Sequence, residues 1–153
     1  MSRNPVDIVT SAMEKYGSGR EAIMQMLTDV NRELGYIPEE AIRAIAAAVG
    51  VSNAEIYSVL SFYSFFSTEP RGRNIVRLCN TISCRMAGAG DILAAIEDEL
   101  GIRAGETTPD DRVTLETTSC IGLCDQGPAM LVNDTPHTRL TPDEARRIIA
   151  GLQ

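Results

Sequence analysis

The four cysteines constrain this chain more than any other feature of its sequence. They form two pairs, Cys79-x4-Cys84 and Cys120-x3-Cys124, with 35 residues between the pairs. Each pair follows a stretch that predicts a β-strand, and the loops at strand ends are where a rigid scaffold commonly presents ligands. We therefore expect a fold whose strand-end loops carry the thiols.

The expected compartment bears on what these thiols do. No stretch approaches the roughly 20 apolar residues of a membrane span, and residues 1–15 lack the basic start and apolar run of a signal peptide. We therefore expect a cytoplasmic protein without direct membrane insertion. Because cytosolic thiols are kept reduced, the cysteines indicate metal or redox chemistry, and structural disulfides are the weaker alternative.

The number and spacing of the cysteines favour an iron-sulfur cluster. Thiolates are soft ligands for zinc and iron, and four of them fill the outer positions of a 2Fe-2S cluster, two to each iron. Structural zinc sites often use closer pairs, and a thioredoxin-type dithiol uses Cys-x2-Cys at a helix N-terminus. A zinc-stapled interaction module and a dithiol oxidoreductase fit this spacing less well and are kept as alternatives. Gly122, within the second pair, allows a tight wrap in which backbone N–H groups approach sulfur.

Composition and the absence of other motifs argue against several functions. The formal net charge of −7 argues against a nucleic-acid surface. The sequence contains no nucleophile elbow, phosphate-binding loop or dinucleotide fingerprint. His137, the only histidine, has no acid-base partner near it in sequence and is assigned no role. We predict no catalytic residues, so the chain is not an enzyme on its own and binds neither NAD nor flavin itself.

Residues 1–70 are predicted to form a helical N-terminal domain. The predicted helices run over 6–15, from the capping box Ser18-x-x-Glu21 to Gly35, from a first-turn Pro38 to Gly50, and onward from the capping box Ser52-x-x-Glu55. Five of the seven aromatic residues lie within 57–66. We interpret them as core packing within the helical segment, with a partner-binding surface as the alternative.

Residues 71–153 are predicted to form a second domain, a small sheet covered by helices as in thioredoxin-like folds. A polar turn at 69–73 marks the boundary. The predicted elements are strands at 75–78, 112–117, 129–133 and 137–140, a helix at 87–100, a turn at 107–111, and a last helix that starts at the capping box Thr141-Pro142-Asp143-Glu144. The fold class is therefore α+β.

Short motifs around these elements resemble a known family. In the first half they are Gly35-Tyr36-Ile37-Pro38, Phe62-Tyr63 and Pro70-x-Gly72, and in the second half the cysteine pairs with Gly88, Thr108-x-Asp110, Gly122, Pro128 and Asn133. In order and spacing they are similar to the small 2Fe-2S subunit of the NADH-oxidising module of respiratory complex I. That family is shared with NAD-linked hydrogenases, formate dehydrogenases and electron-bifurcating complexes. Asp111-Arg112 departs from the Asp-Gly turn that is common in the family.

The resemblance implies a specific role. It implies a thioredoxin-like 2Fe-2S ferredoxin domain behind the helical domain, with Cys79, Cys84, Cys120 and Cys124 as ligands of one cluster. It also implies a larger partner subunit that carries FMN, the NAD(H) site and a 4Fe-4S cluster, and further iron-sulfur, hydrogenase or formate dehydrogenase subunits according to the parent complex. The expected function is electron exchange with the FMN of that partner.

Overall fold

The structure is a computed structural model that describes residues 4–153 of the chain. The first three residues of the predicted N-terminal domain lie outside the described residues. The chain divides into two compact units between Pro70 and Arg71. Each unit contains a hydrophobic core of its own.

Four α-helices build the first unit. They are α1 (Pro5–Tyr16), α2 (Ile23–Leu34), α3 (Glu39–Val49) and α4 (Asn53–Phe62). Gly35 and Gly50 end α2 and α3 in the left-handed conformation, which glycine adopts without a steric penalty. The Ser52 side chain caps α4 by accepting a hydrogen bond from the Glu55 N–H. These three helix boundaries confirm the sequence predictions.

Two predicted helix starts are wrong. The Ser18 capping box does not open a helix: a 3-10 helix, Arg20–Ala22, has Gly19 at its N-cap, and α2 begins only at Ile23. Pro38 is the N-cap of α3, in extended conformation, and not a first-turn residue. The N-cap of the 3-10 helix is Gly19, and no side-chain cap hydrogen bond is made there, so Ser18 does not serve as the cap that the motif predicts.

The aromatic residues of the first unit are more exposed than predicted. Phe62 is 79% exposed, and Tyr57, Tyr63 and Phe65 are 43–45% exposed, while Phe66 packs partly against the core. The core-packing interpretation is therefore wrong for most of this cluster. Because α4 ends at Phe62, the aromatic residues that follow are not placed by the helical stripe that turns Ile56 and Leu60 inward.

The helices can be compared with a membrane span in length and composition. Among the described residues, no single helix combines the length and apolar composition needed to cross a bilayer. Helices α3 and α4 reach those values only when taken together, as a pair bent by 116°.

The second unit contains a mixed four-stranded sheet. Its elements are β1 (Asn74–Cys79), α5 (Ile82–Met86), α6 (Ala89–Leu100), β2 (Val113–Thr118), β3 (Met130–Val132), β4 (Thr135–His137) and α7 (Pro142–Ala150). The strand order is β2-β1-β3-β4, with β1 and β2 parallel and the other pairs antiparallel. Helices α5 and α6 form the crossover between the parallel strands, which cannot be joined by a tight hairpin. The predicted α+β class is confirmed.

Local motifs predict the ends of α6 and α7 well and miss α5. Gly101 ends α6, and Thr141 with Glu144 forms the predicted capping box of α7. The helix predicted over 87–100 begins at Ala89, after the short helix α5, which was not predicted. Five residues are too few to show a helical period, so their hydrophobic pattern carries no signal.

The last predicted strand is displaced. Strand β4 covers Thr135–His137 instead of 137–140. Asn133, with a φ of 54°, begins the reversal earlier than Pro136 suggests, and its side-chain oxygen accepts a hydrogen bond of 2.9 Å from the Ile75 N–H. The turn is therefore fixed by contact with β1, which local sequence does not reveal.

Gly72 gives a direct test of how the second unit is packed. A Cβ atom at this position would lie 2.9 Å from the backbone N and C of Val113, and the Gly72 N–H donates to the Thr114 hydroxyl at 2.7 Å. We expect Gly72→Ala to lower the free energy of unfolding by about 2 kcal/mol, because strand backbone cannot move aside. Urea unfolding followed by circular dichroism measures the loss.

The matched control for Gly72 is Gly90→Ala. Gly90 lies in α6 with open space around its Cα, so the new methyl group meets nothing and we expect stability to rise slightly, by about 0.5 kcal/mol. Equal unfolding midpoints for Gly72→Ala and the wild type would contradict the close approach of Gly72 to β2.

Candidate metal centre

The two cysteine pairs follow the two parallel strands. Cys79 is the last residue of β1, and Cys84 lies in α5. Cys120 follows β2 by two residues, and Cys124 begins a 3-10 helix. Because β1 and β2 are parallel and Cys79 pairs with Thr118, the end of β2, both pairs lie at the same edge of the sheet. The four predicted ligands are therefore neighbours despite their separation in sequence.

The second pair is exposed and its sulfurs are in contact. The Sγ atoms of Cys120 and Cys124 lie 3.1 Å apart. The Gly122 N–H donates to the Cys120 sulfur at 3.3 Å, and the φ of Gly122 is 84°. This arrangement confirms the prediction that Gly122 allows the loop to wrap around sulfur.

The first pair is buried. The N–H of Cys79 donates to the Ala129 carbonyl at 3.1 Å, which fixes the end of β1 against the segment before β3. The Thr81 hydroxyl lies 3.1 Å from the Cys79 sulfur. A Cβ atom on Gly127 would lie only 3.3 Å from the Cys84 sulfur, so a larger residue would crowd it.

Sequence patterns predict neither Thr81 nor Gly127 as part of the site. Thr81 follows Cys79 by two residues, and a hydroxyl so close to a ligand in sequence is a usable signal. Gly127 carries no such signal, because it is separated from Cys84 by more than 40 residues and meets it only in the folded unit.

The thiols of each pair influence each other's protonation. Burial raises the pKa of the Cys79 thiol, but hydrogen bonds from Thr81, Cys84 and the Ile121 backbone together outweigh burial and lower that pKa. Burial, and then the neighbouring Cys79, raise the pKa of Cys84. Contact with Cys120 raises the pKa of Cys124. Two close thiolates repel each other, so without a cation the proton stays on one sulfur, and metal binding releases it.

This donor set fits a 2Fe-2S cluster. Cys84 and Cys124 each lie close enough to a partner thiol and to the opposite pair for their charges to interact. The thiols are arranged as two pairs, which matches a cluster with two irons and two cysteine ligands for each.

Other residues of the family-like motifs support the scaffold and not the sulfurs. The Thr108 hydroxyl donates to Asp110 at 2.6 Å and accepts from the Val113 N–H at 3.0 Å. Asn133 bonds to Ile75 through its side chain and its backbone. Ile75 and Val113 lie near the starts of β1 and β2, at the opposite end from the cysteines. These motifs therefore fix the sheet that positions the site.

Comparison with known proteins agrees with this geometry. A profile of the thioredoxin-like [2Fe-2S] ferredoxin family matches residues 9–153. The chain is 39% identical over 145 residues to an NADH-quinone oxidoreductase subunit of Rhizobium meliloti, and the match covers 95% of this chain and 84% of that protein. It is also 39% identical over 145 residues to the NAD-reducing hydrogenase HoxS subunit alpha of Cupriavidus necator, covering 95% of this chain and 24% of the relative.

A solved structure shows the same fold. The crystal structure of an NAD+-reducing [NiFe]-hydrogenase in the H2-reduced state superposes with a TM-score of 0.75 and 26% identity, over 87% of this chain and 22% of that chain. These matches confirm the predicted family resemblance, the fold of helices followed by a ferredoxin-like sheet, the 2Fe-2S cofactor and the electron-transfer function. The chain therefore belongs to the thioredoxin-like [2Fe-2S] ferredoxin family.

Proposed function

We propose that this chain holds one 2Fe-2S cluster on Cys79, Cys84, Cys120 and Cys124 and passes single electrons within a multisubunit NAD-linked oxidoreductase. The observation that carries the proposal is that parallel strands β1 and β2 end at one edge of the sheet and deliver both cysteine pairs there. When bound, such a cluster takes up or gives up one electron. Catalysis belongs to the assembled complex.

The residues of the chain have separate tasks at this centre. The buried pair, Cys79 and Cys84, shields part of the site from water, and the exposed pair, Cys120 and Cys124, faces solvent or a partner. The Gly122 N–H and the Thr81 hydroxyl are hydrogen-bond partners of sulfur. Burial and sulfur hydrogen bonds are the means by which a protein sets the potential of such a cluster.

We further propose that the partner is a larger subunit that binds FMN, NAD(H) and a 4Fe-4S cluster, in the cytoplasm. A one-electron centre is useful to a flavin that receives two electrons from a hydride donor. NADH-quinone oxidoreductase and NAD-reducing hydrogenase, named among the relatives, both handle a nicotinamide substrate. Residues 1–70 and 71–153 are proposed as separate helical and cluster domains.

Two exposed apolar side chains beside Cys84 support the proposal that the flavoprotein partner binds next to the cysteines. Ile82 is 74% exposed and Met86 is 83% exposed, and they lie four residues apart on one face of α5. Exposed apolar side chains next to a redox site are typical of protein interfaces. We assign them to the contact with the flavin-bearing partner, because electron transfer requires that partner to approach the sulfurs.

The double variant Ile82→Gln/Met86→Gln tests this contact. We expect its affinity for the flavoprotein partner to fall at least about tenfold, because two apolar side chains no longer leave water on association. Retention of the flavoprotein partner by the tagged chain measures the effect. Val6→Gln is the control, since Val6 is an exposed apolar residue in the first unit. Full retention by a double variant of normal iron content would contradict the assignment.

The main proposal is tested on the full chain, prepared and reconstituted without oxygen. We expect about two irons and two acid-labile sulfides per chain, and an S = 1/2 EPR signal after reduction with dithionite. Bound zinc without sulfide would overturn the proposal and leave a structural metal site. Absence of both metals after reconstitution would likewise overturn it.

A further inference from the structure

Thr81 occupies the N-cap of α5, but its hydroxyl does not cap the helix. Its backbone is extended, with φ −69° and ψ 165°, and it makes no side-chain cap hydrogen bond. A threonine at this position ordinarily accepts a hydrogen bond from an N–H of the first turn. Here the hydroxyl instead lies 3.1 Å from the Cys79 sulfur. The structure therefore directs this hydroxyl to sulfur in place of its usual partner.

We infer that Thr81 is a positioning residue that raises the reduction potential of the centre by donating its hydroxyl hydrogen to the Cys79 sulfur. The inference rests on the proposed function, because it requires Cys79 to be a ligand. A ligand thiolate carries no hydrogen, so the hydroxyl must be the donor. One added electron increases the negative charge on the ligand sulfurs, and a donor to sulfur stabilises that charge.

Burial strengthens the hydrogen bond from the Thr81 hydroxyl. Cys79 is 1% exposed, so water cannot replace a lost donor, and a hydrogen bond to charge is stronger where the local dielectric is low. The corresponding donor to the second pair is the Gly122 N–H, at 3.3 Å from the exposed Cys120. Solvent can substitute for that bond. A side-chain change can therefore separate the Thr81 contribution from the rest of the site.

Four substitutions isolate the hydroxyl. Thr81→Val removes it and keeps the branched shape of the side chain, and Thr81→Ser keeps the hydroxyl and removes the methyl group. Ser83→Ala removes a different hydroxyl two residues away, within α5, at an exposed position without a hydrogen bond to sulfur among the described residues. Thr81→Ala provides a second hydroxyl-free variant if the valine variant fails to load the cluster.

The experiment is an EPR-monitored redox titration of each reconstituted full-length protein at one pH, after iron and sulfide contents are matched. We expect the equilibrium constant for reduction of Thr81→Val to fall about tenfold, which is 59 mV for a one-electron couple. Thr81→Ser is expected to keep most of the wild-type potential, and Ser83→Ala all of it.

Two results would overturn the inference. One is a wild-type potential in Thr81→Val or Thr81→Ala at full cluster content. The other is an equal shift in Ser83→Ala, which would show a general effect of substitutions near Cys84. A wild-type chain that takes up no iron and sulfide would instead defeat the proposed function, so the two failures are distinguishable.

Discussion

Replacing Cys79 by serine is expected to lower the iron and sulfide content of the reconstituted, desalted protein at least about tenfold relative to the wild type. Serine offers a harder and more basic oxygen in place of a soft thiolate. At position 79 this oxygen would be buried at the end of β1, where solvent cannot assist ligation. Iron and sulfide analysis, with the visible absorption spectrum, measures the loss.

The control for this prediction is Ser83→Ala, which alters an exposed residue of α5 and leaves every thiol in place. It should retain the full iron and sulfide content. A Cys79→Ser protein with unchanged iron, sulfide and spectrum would exclude Cys79 from the ligand set. In that case the remaining thiols would have to be tested one by one, beginning with the buried Cys84.

Replacing Glu116 by alanine is expected to destabilise the second unit by about 3 kcal/mol. The Glu116 carboxylate on β2 lies 3.1 Å from the Arg77 guanidinium on β1 and 3.4 Å from that of Arg71. Arg77 lies in a central strand and is only 5% exposed, which is unusual for a charged side chain. Burial lowers the pKa of Arg77, and the Glu116 charge opposes this shift. Without that carboxylate, the Arg71 and Arg77 guanidiniums lose the ion pairs with Glu116 that offset their burial.

Urea unfolding of the cluster-loaded protein measures this loss. Asp98→Ala is the matched control, because Asp98 forms an exposed ion pair with Arg146 at 3.8 Å. Exposed pairs contribute little, so we expect its unfolding midpoint to stay close to that of the wild type. Equal losses from Glu116→Ala and Asp98→Ala would show that the buried charges between β1 and β2 contribute no more than surface charges.

The Arg77 and Glu116 pair also shows where sequence patterns stop being informative. The apolar neighbours of Arg77 correctly predict a buried strand at 75–78, and alternation correctly predicts a strand at 112–117. Neither pattern explains an arginine in the middle of a buried strand. The explanation is the register of the parallel pair, in which Arg77 lies opposite Glu116. Register depends on contacts over the whole sheet and not on either strand alone.

The sequence by itself determined the features that depend on short stretches of chain. Left-handed glycines end α2, α3 and α6, and serine or threonine caps open α4 and α7, because these signals act within one helical turn. The spacing and number of the cysteines, together with the motifs around them, likewise identified the family, because ligand chemistry depends on residue type.

Only the tertiary structure decided how distant groups meet. The parallel pairing of β1 and β2 joins two cysteine pairs separated by 35 residues. The Thr81 hydroxyl has two possible partners, an N–H of its helix or the Cys79 sulfur, and the folded site selects sulfur. In each case the outcome depends on competition between long-range contacts, which local propensity does not contain.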